Sequence, residues 1–291
     1  MNKDSPFRLI PVIDLKGGLA VHAVAGKRDE YRMVEGALGR GDAPVELAVS
    51  MTSRCGTNRL YVADLDAIPG LAPHFALVDS LVARGLEVWL DAGITGPGDA
   101  KPWLKRHGNT TLVLGLETVL GPKALADATA IDPNRIAFSL DLVAGEPRMA
   151  EGWSTKNPEA MFRTAAEAGV TRMLAIDLAR VGTASGPWGE NIVHAWQRSG
   201  AAGELLAGGG VRGRNDLDSL AAVGFQVQRV PGLPPKRHAL MAEFQPKFVS
   251  PAVSVDTPPA STLRVCHPTR LAAQRCAVVG AGLAGAAVAR A

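Results

Sequence analysis

Two aspartates close short apolar runs 127 positions apart: Asp14 ends Leu9-Ile10-Pro11-Val12-Ile13, and Asp141 ends Ile136-Ala137-Phe138-Ser139-Leu140. Runs of this length, rich in Ile, Leu and Val and bounded by Gly or polar residues, read as fully buried parallel strands. In a barrel of such strands the C-terminal strand ends carry the chemistry, so both carboxyls are expected to face substrate rather than core. Two carboxyls in one mouth can serve as general acid and general base, provided that one holds a proton while the other is ionised. The competing reading is structural, but two solvated strand-end carboxylates in one mouth add little to stability.

A second signal concerns phosphate. Ala207-Gly208-Gly209-Gly210-Val211 follows a strand candidate and precedes a short helix-forming stretch. Three glycines let backbone N–H groups converge on an anion near a positive helix end. A plain flexible loop is the alternative. Asp91-Ala92-Gly93-Ile94-Thr95-Gly96 holds the matching place in the other half, 116 positions before Gly209. A repeated half-barrel explains both spacings.

These residues need elements to hold them. Strand candidates recur at Leu9–Asp14, Leu60–Asp64, Glu87–Asp91, Thr111–Leu114, Arg135–Asp141, Arg172–Asp177 and Glu204–Ala207. Helix-like segments lie between and after them: Ala43–Cys55, Ala72–Arg84, Lys123–Ala130, Pro158–Ala168, Gly189–Ser199 and Asn215–Ala222. Such alternation predicts α/β architecture with a parallel sheet, either open and doubly wound or closed as a (βα)8 TIM-type barrel. The first βα loop, Asp14-Leu15-Lys16-Gly17-Gly18, has no dinucleotide fingerprint and passes into another β-like run, Leu19–Gly26, which favours the barrel.

Composition excludes several classes. The chain has 291 residues, 47% of them hydrophobic, and a net charge of +3, which suits a globular protein and not a nucleic-acid binder by bulk charge. Cys55, Cys266 and Cys276 lie far apart without metal-ligand spacing, which predicts no metal site and no disulfide framework. No apolar segment reaches the ~20 residues of a bilayer span, and Met1-Asn2-Lys3-Asp4 lacks a signal-peptide core, so the expected location is the cytoplasm.

The tail differs. Residues 224–291 carry 8 Lys+Arg against 2 Asp+Glu, so of the chain's 31 and 28 the first 223 residues hold 23 and 26. Eight of the 20 prolines also fall in the tail. The expected organisation is a barrel over 1–223, an irregular Pro-rich linker over 224–275 and a distinct fragment over 276–291. An eighth strand with its own glycine turn is missing after Ala222. Phe225–Val230, with alternating Phe, Val and Val, is the candidate substitute and would bring Arg229 to the mouth, so the barrel is expected to be incomplete or irregular there. Cys276–Val279 runs into Gly280-Ala281-Gly282-Leu283-Ala284-Gly285, a dinucleotide fingerprint that stops at Ala291 before its second strand.

Residues 7–223 resemble the histidine-biosynthesis (βα)8 barrels, in the branch related to the phosphoribosylformimino-aminoimidazole carboxamide ribotide isomerase. The resemblance rests on Ile10–Gly18 followed by Val21–Gly26, Tyr61–Asp66, Ser139-Leu140-Asp141, Gly152-Trp153, Gly182-Thr183 with Gly186, and Gly208-Gly209-Gly210-Val211. It implies an Amadori rearrangement of a phosphorylated aminoaldose to an aminoketose, with Asp14 and Asp141 catalytic. It further implies a substrate- and phosphate-binding set of Gly17, Gly18, Asp64, Gly93, Trp153, Asp177, Gly182, Thr183, Gly208, Gly209 and Gly210, and no cofactor or metal. Bland readings stand beside it: Asp64 and Asp66 as loop or helix caps, His22 as packing, Trp153 as a lid.

Departures from the family pattern are specific. Asp91-Ala92-Gly93-Ile94-Thr95 replaces a Gly-Gly-Gly-Ile-Arg loop, and a carboxylate there repels phosphate. Ile176 occupies the family's threonine position, and Val181 stands in Val181-Gly182-Thr183 where the family has Asp. These changes resemble a paralogous branch associated with tetrahydromethanopterin-dependent one-carbon metabolism and imply a substrate with one phosphate. The tail from 223 resembles the bifunctional tRNA 5-methylaminomethyl-2-thiouridine modification enzyme, at the start of its FAD domain. It implies only a vestigial, non-binding FAD site at Gly280, Gly282 and Gly285. The function alternatives are an isomerase of a small phosphorylated substrate, a non-catalytic phosphate-ligand-binding barrel, and a chimeric chain without function. No membrane or nucleic-acid partner is expected of the barrel.

Overall fold

The computed structural model describes residues 9–183 and 188–210, together with the backbone of Ala277–Val278. Seven strands succeed one another: β1 (Val12–Lys16), β2 (Arg59–Asp64), β3 (Glu87–Asp91), β4 (Thr110–Gly115), β5 (Ile136–Val143), β6 (Arg172–Asp177) and β7 (Glu204–Gly208). Each pairs in parallel with the next, so spatial order equals chain order. A doubly wound sheet would reverse its order at a switch point, so this sheet is that of a (βα) barrel.

Side-chain alternation divides the core in two. Val12, Tyr61, Ala63, Trp89, Val113, Ala137, Leu174 and Leu206 point inward as one buried cluster. Their neighbours Ile13, Val62, Leu90, Leu112, Phe138 and Leu205 point outward and pack against the helices. Both faces are therefore apolar, and that is why the strands read as continuous hydrophobic runs.

Among the described residues six helices supply the outer layer: α1 (Pro44–Cys55), α2 (Phe75–Ala83), α3 (Pro97–Arg106), α4 (Gly121–Thr129), α5 (Pro158–Glu167) and α6 (Glu190–Arg198). Local chemistry sets their ends. Asn157 caps α5 by accepting from Glu159 N at 2.9 Å and Ala160 N at 3.4 Å, with Pro158 in the first turn. Gly56 closes α1 at φ +64°, in the left-handed region that suits glycine. Helix α3 has no counterpart among the sequence candidates, because Gly98 and Pro102 argue against a helix interior. It forms because its apolar face has somewhere to go: Ala100, Trp103 and Leu104 are buried, and Trp103 stacks on Phe75 with ring centroids 4.0 Å apart.

Residues after β1 turn back at Gly17-Gly18, both with positive φ, into Leu19–His22, which pairs antiparallel with β1 and then with Arg32–Met33. At the other edge Ala277–Val278 pairs in parallel with Leu9–Ile10 and lies beside β7, the place an eighth strand would take. Phe225–Val230, the linker 224–275, the helix candidate Asn215–Ala222 and Gly280, Gly282 and Gly285 lie outside the described residues.

Candidate active site

Strand register assembles the site. Asp14 lies opposite Ala63, and Ala63 opposite Asp91, so one row crosses β1, β2 and β3. Asp141 lies opposite Ile176, and Ile176 opposite Gly208, so a second row crosses β5, β6 and β7. Asp14, Asp91, Asp141 and Gly208 all line one cavity, of ≈720 Å³ with its open mouth included.

Asp141 is 4% exposed. One oxygen, Oδ1, accepts from Ser139 Oγ at 2.6 Å, and Oδ2 accepts from Glu117 N at 3.3 Å. Burial, followed by the negative charges of Glu117 and Asp91, pushes its carboxyl well above the usual carboxylate range. Asp141 therefore keeps its proton where an ordinary aspartate has lost it. Across the cavity Asp91 accepts from Gly93 N at 3.3 Å and from Tyr61 Oη at 3.4 Å. Burial and then Glu117 push Asp91 up to about 7, against the opposing pull of Gly93 N, Tyr61 and Arg28. Tyr61 is buried and stays a phenol, raised well above 10 by burial and then by Asp91, Asp141 and Asp14.

Two arginines balance this acidity. Glu117, in the loop after β4, pairs with Arg28 Nη2 at 3.3 Å and Arg148 Nε at 2.9 Å. Arg28 belongs to the segment after β1, and Arg148 to the segment after β5. Glu117 thus ties together the loops that follow the strands carrying Asp14 and Asp141. Both arginines line the cavity. Tyr31 lines it too, its phenol pushed up to about 12 by burial and then by Asp14.

A family described as "Histidine biosynthesis protein" matches residues 8–230. The chain belongs to this family. Its relatives include an uncharacterized protein of Methanocaldococcus jannaschii, 26% identical over 73% of this chain and 86% of that protein. Two others are named 1-(5-phosphoribosyl)-5-((5-phosphoribosylamino)methylideneamino)imidazole-4-carboxamide isomerase. That of Methylobacterium nodulans is 32% identical over 61% of this chain and 69% of the relative. That of Geobacillus thermodenitrificans is 30% identical over 74% of this chain and 85% of the relative.

Within this histidine-biosynthesis barrel the expected binding residues fall into two groups. Gly208 lines the cavity, and Gly209 and Gly210 follow it with φ of +96° and +77°. A Cβ on Gly209 would come within 2.9 Å of the Asp177 carbonyl, so glycine is required for that close approach. Gly182 sits so close to the Ala23 carbonyl that a Cβ would collide with it. Thr183 is exposed and its hydroxyl donates to Arg180 O at 2.8 Å.

The remaining side chains are turned toward scaffolding. Asp64 accepts from the backbone N–H groups of Asp66, Ala67 and His74 and contacts His74 Nδ1 at 3.0 Å. Asp66 in turn accepts from Gly17 N at 2.6 Å, which fixes the Gly17-Gly18 turn. Asp64, Asp66 and His74 bring potential ligand atoms within 4.8 Å of one another. Three backbone donors and the His74 ring hold the Asp64 carboxylate, so these contacts clamp the loop after β2. Asp177 accepts from Ala144 N at 3.0 Å and Ala179 N at 3.1 Å, bracing the loops after β5 and β6. Trp153 donates to Val119 O at 2.9 Å with its ring 5.7 Å from Phe138, as a lid on the core. Gly93 packs against the Ala67-Ile68 backbone, where a Cβ would come within 2.6 Å of Ile68 Cα. His22 lies on the hairpin opposite Arg32, its imidazole pKa lowered by burial.

Sequence reasoning missed Arg28, Glu117 and Arg148 because they sit in loops whose meeting point only the tertiary fold defines. Tyr61 was visible as a motif residue but not as an inward-facing one, although two-residue periodicity with Ala63 could have shown it.

Proposed function

We propose that this chain is an aldose–ketose isomerase of a phosphorylated amino-sugar-type, ribonucleotide-like substrate, related to the histidine pathway and working by aspartate acid–base chemistry. The observation that carries this reading is the placement of Asp14 and Asp141 on one cavity, with Asp141 buried against Ser139 Oγ and Glu117 N. Relatives named as an isomerase of a phosphoribosyl imidazole carboxamide support the reaction class.

The division of labour follows from environment. Asp141 retains a proton and serves as the acid: it gives that proton to the ring oxygen, and the C1–O bond breaks to leave an iminium at C1. Asp14 takes the proton from C2, so the C–H electron pair becomes a C1–C2 double bond and the iminium is neutralised. Ketonisation of the resulting enol gives the aminoketose. No electrons leave the substrate. The Gly208–Gly210 turn seats its phosphate.

The test is turnover of a phosphoribosylated amine by Asp14→Asn and Asp141→Asn, with ligand binding followed alongside. Each variant is expected to lose at least roughly 10²–10⁴-fold in kcat while still binding phosphate. Retained turnover in both variants would overturn the assignment, and phosphate binding without turnover in the unsubstituted protein would favour a non-catalytic binding barrel.

A further inference from the structure

We propose that Asp91 and Tyr61 read the end of the substrate that carries no phosphate, so that the site takes a sugar ligand with one phosphate and turns away one with two. This deepens the reading above, since it assumes that the single phosphate sits at Gly208–Gly210.

Sheet order places the two ends. Gly208 ends β7 and Asp91 ends β3, four strands apart, and both line the same cavity. A ligand anchored by phosphate at β7 and reaching across the mouth therefore meets Asp91. What it meets is a carboxyl held by Tyr61 Oη at 3.4 Å and Gly93 N at 3.3 Å, 7% exposed, with a second carboxyl in the same row at Asp14. Such a wall accepts hydrogen bonds from hydroxyl or amino groups. It repels a phosphate dianion, because a like charge out of water costs far more than one in it. Register provides the space: Ala63, between Asp14 and Asp91, is the small residue of the row.

The charge of this wall depends on pH. The charged and titratable groups that line the cavity with Asp91 are Asp14 from β1, Arg28 and Tyr31 from the segment after β1, Tyr61 from β2, Glu117 from the loop after β4, Asp141 from β5 and Arg148 from the segment after β5. Tyr61 stays a phenol, burial holds the Asp141 carboxyl well above the usual carboxylate range, and Arg28 and Arg148 are both paired with Glu117. Asp91, raised to about 7, changes charge between pH 6 and 8.

The experiment is calorimetric binding of ribose 5-phosphate and ribulose 1,5-bisphosphate to the full chain and to Asp91→Asn at pH 6 and pH 8. At pH 8 the unsubstituted protein should bind the bisphosphate at least roughly tenfold more weakly than the monophosphate, and Asp91→Asn should shrink that ratio to about threefold or less. Between pH 8 and pH 6 the ratio should fall more in the unsubstituted protein than in Asp91→Asn, whose remaining change belongs to the phosphates themselves. Equal affinity for the two ligands at pH 8, a ratio unchanged by the substitution, or a pH response common to both proteins would each overturn the proposal, as would binding of neither ligand. Because the readout is affinity, loss of selectivity is separate from loss of turnover in the Asp14 and Asp141 variants, which bears on the isomerase reading alone.

Discussion

Gly115 on β4 and Asp141 on β5 are held so close that a Cβ built on Gly115 would stand 2.8 Å from Asp141 Oδ2. The glycine has no conformational need here; it provides room for the carboxyl. Gly115→Ala is therefore expected to push Asp141 off Glu117 N while leaving the strand in place. Overpacking of this kind costs about 1–3 kcal/mol, or roughly 2–4 °C of Tm per kcal/mol in a chain of this size. Turnover should fall by more than Tm suggests, and a crystal structure of the variant would show Asp141 displaced. An unmoved Asp141 with unchanged activity would contradict the close contact.

Asp91 makes stability depend on pH. Its carboxyl is raised from 3.8 to about 7 in the folded chain, chiefly by burial and then by Glu117, so the fold binds the proton more tightly than the unfolded state does. The cost is absent below pH 4, grows as pH rises toward 7, and is complete above it. Relative to Asp91→Asn, the unsubstituted protein should lose stability between pH 4 and pH 8, by at most about 4 kcal/mol. Urea denaturation of both proteins across that range checks it; parallel curves would show that Asp91 does not titrate in this window.

Much of this was legible in the chain because buried parallel strands write themselves as apolar runs. Glu87–Asp91 and Arg172–Asp177 coincide with their sequence candidates, and the others differ by one to three residues at an end. Pro11 alone splits the first run, into Leu9–Ile10 and β1. Helix α3 was hidden because tertiary burial of Trp103 outweighs Gly98 and Pro102. At the site, Asp14 and Asp141 could be found from strand ends, whereas Asp64 and Asp177 look identical in sequence and differ only in where their lone pairs go. Asp64 spends them on three backbone amides and His74, a choice that residues ten positions downstream decide. The pairing of Ala277–Val278 with Leu9–Ile10 joins segments that no local pattern connects.

Glu117 is expected to act through the loops it joins. Its pairs with Arg28 and Arg148 are only partly exposed at the carboxylate, with side-chain exposure of 10% at Glu117 against 31% and 50% at the arginines. Glu117→Gln removes the shared charge but keeps the shape, so global stability should drop by about 1 kcal/mol or less. Local opening should respond more strongly. Hydrogen exchange over residues 23–31 and 144–150 is expected to quicken several-fold while exchange in β4 and β5 stays slow. Unchanged exchange in both loops would mean that Glu117 does not hold them.

Val278 tests how the sheet ends. Parallel pairing places Leu9 opposite Ala277 and Ile10 opposite Val278, and Ile10 is fully buried in the barrel interior. A proline at 278 cannot donate to the ladder, and its ring crowds the neighbouring strand. Val278→Pro should therefore cost about 1–3 kcal/mol in urea denaturation and quicken exchange at the Leu9–Ile10 amides. Val278→Ala, which keeps the backbone donor, separates ladder from side chain and should cost less. If Val278→Pro matches the unsubstituted protein in both measurements, the strand at 277–278 adds nothing to the barrel, and the edges of β7 and Leu9–Ile10 are satisfied by other means.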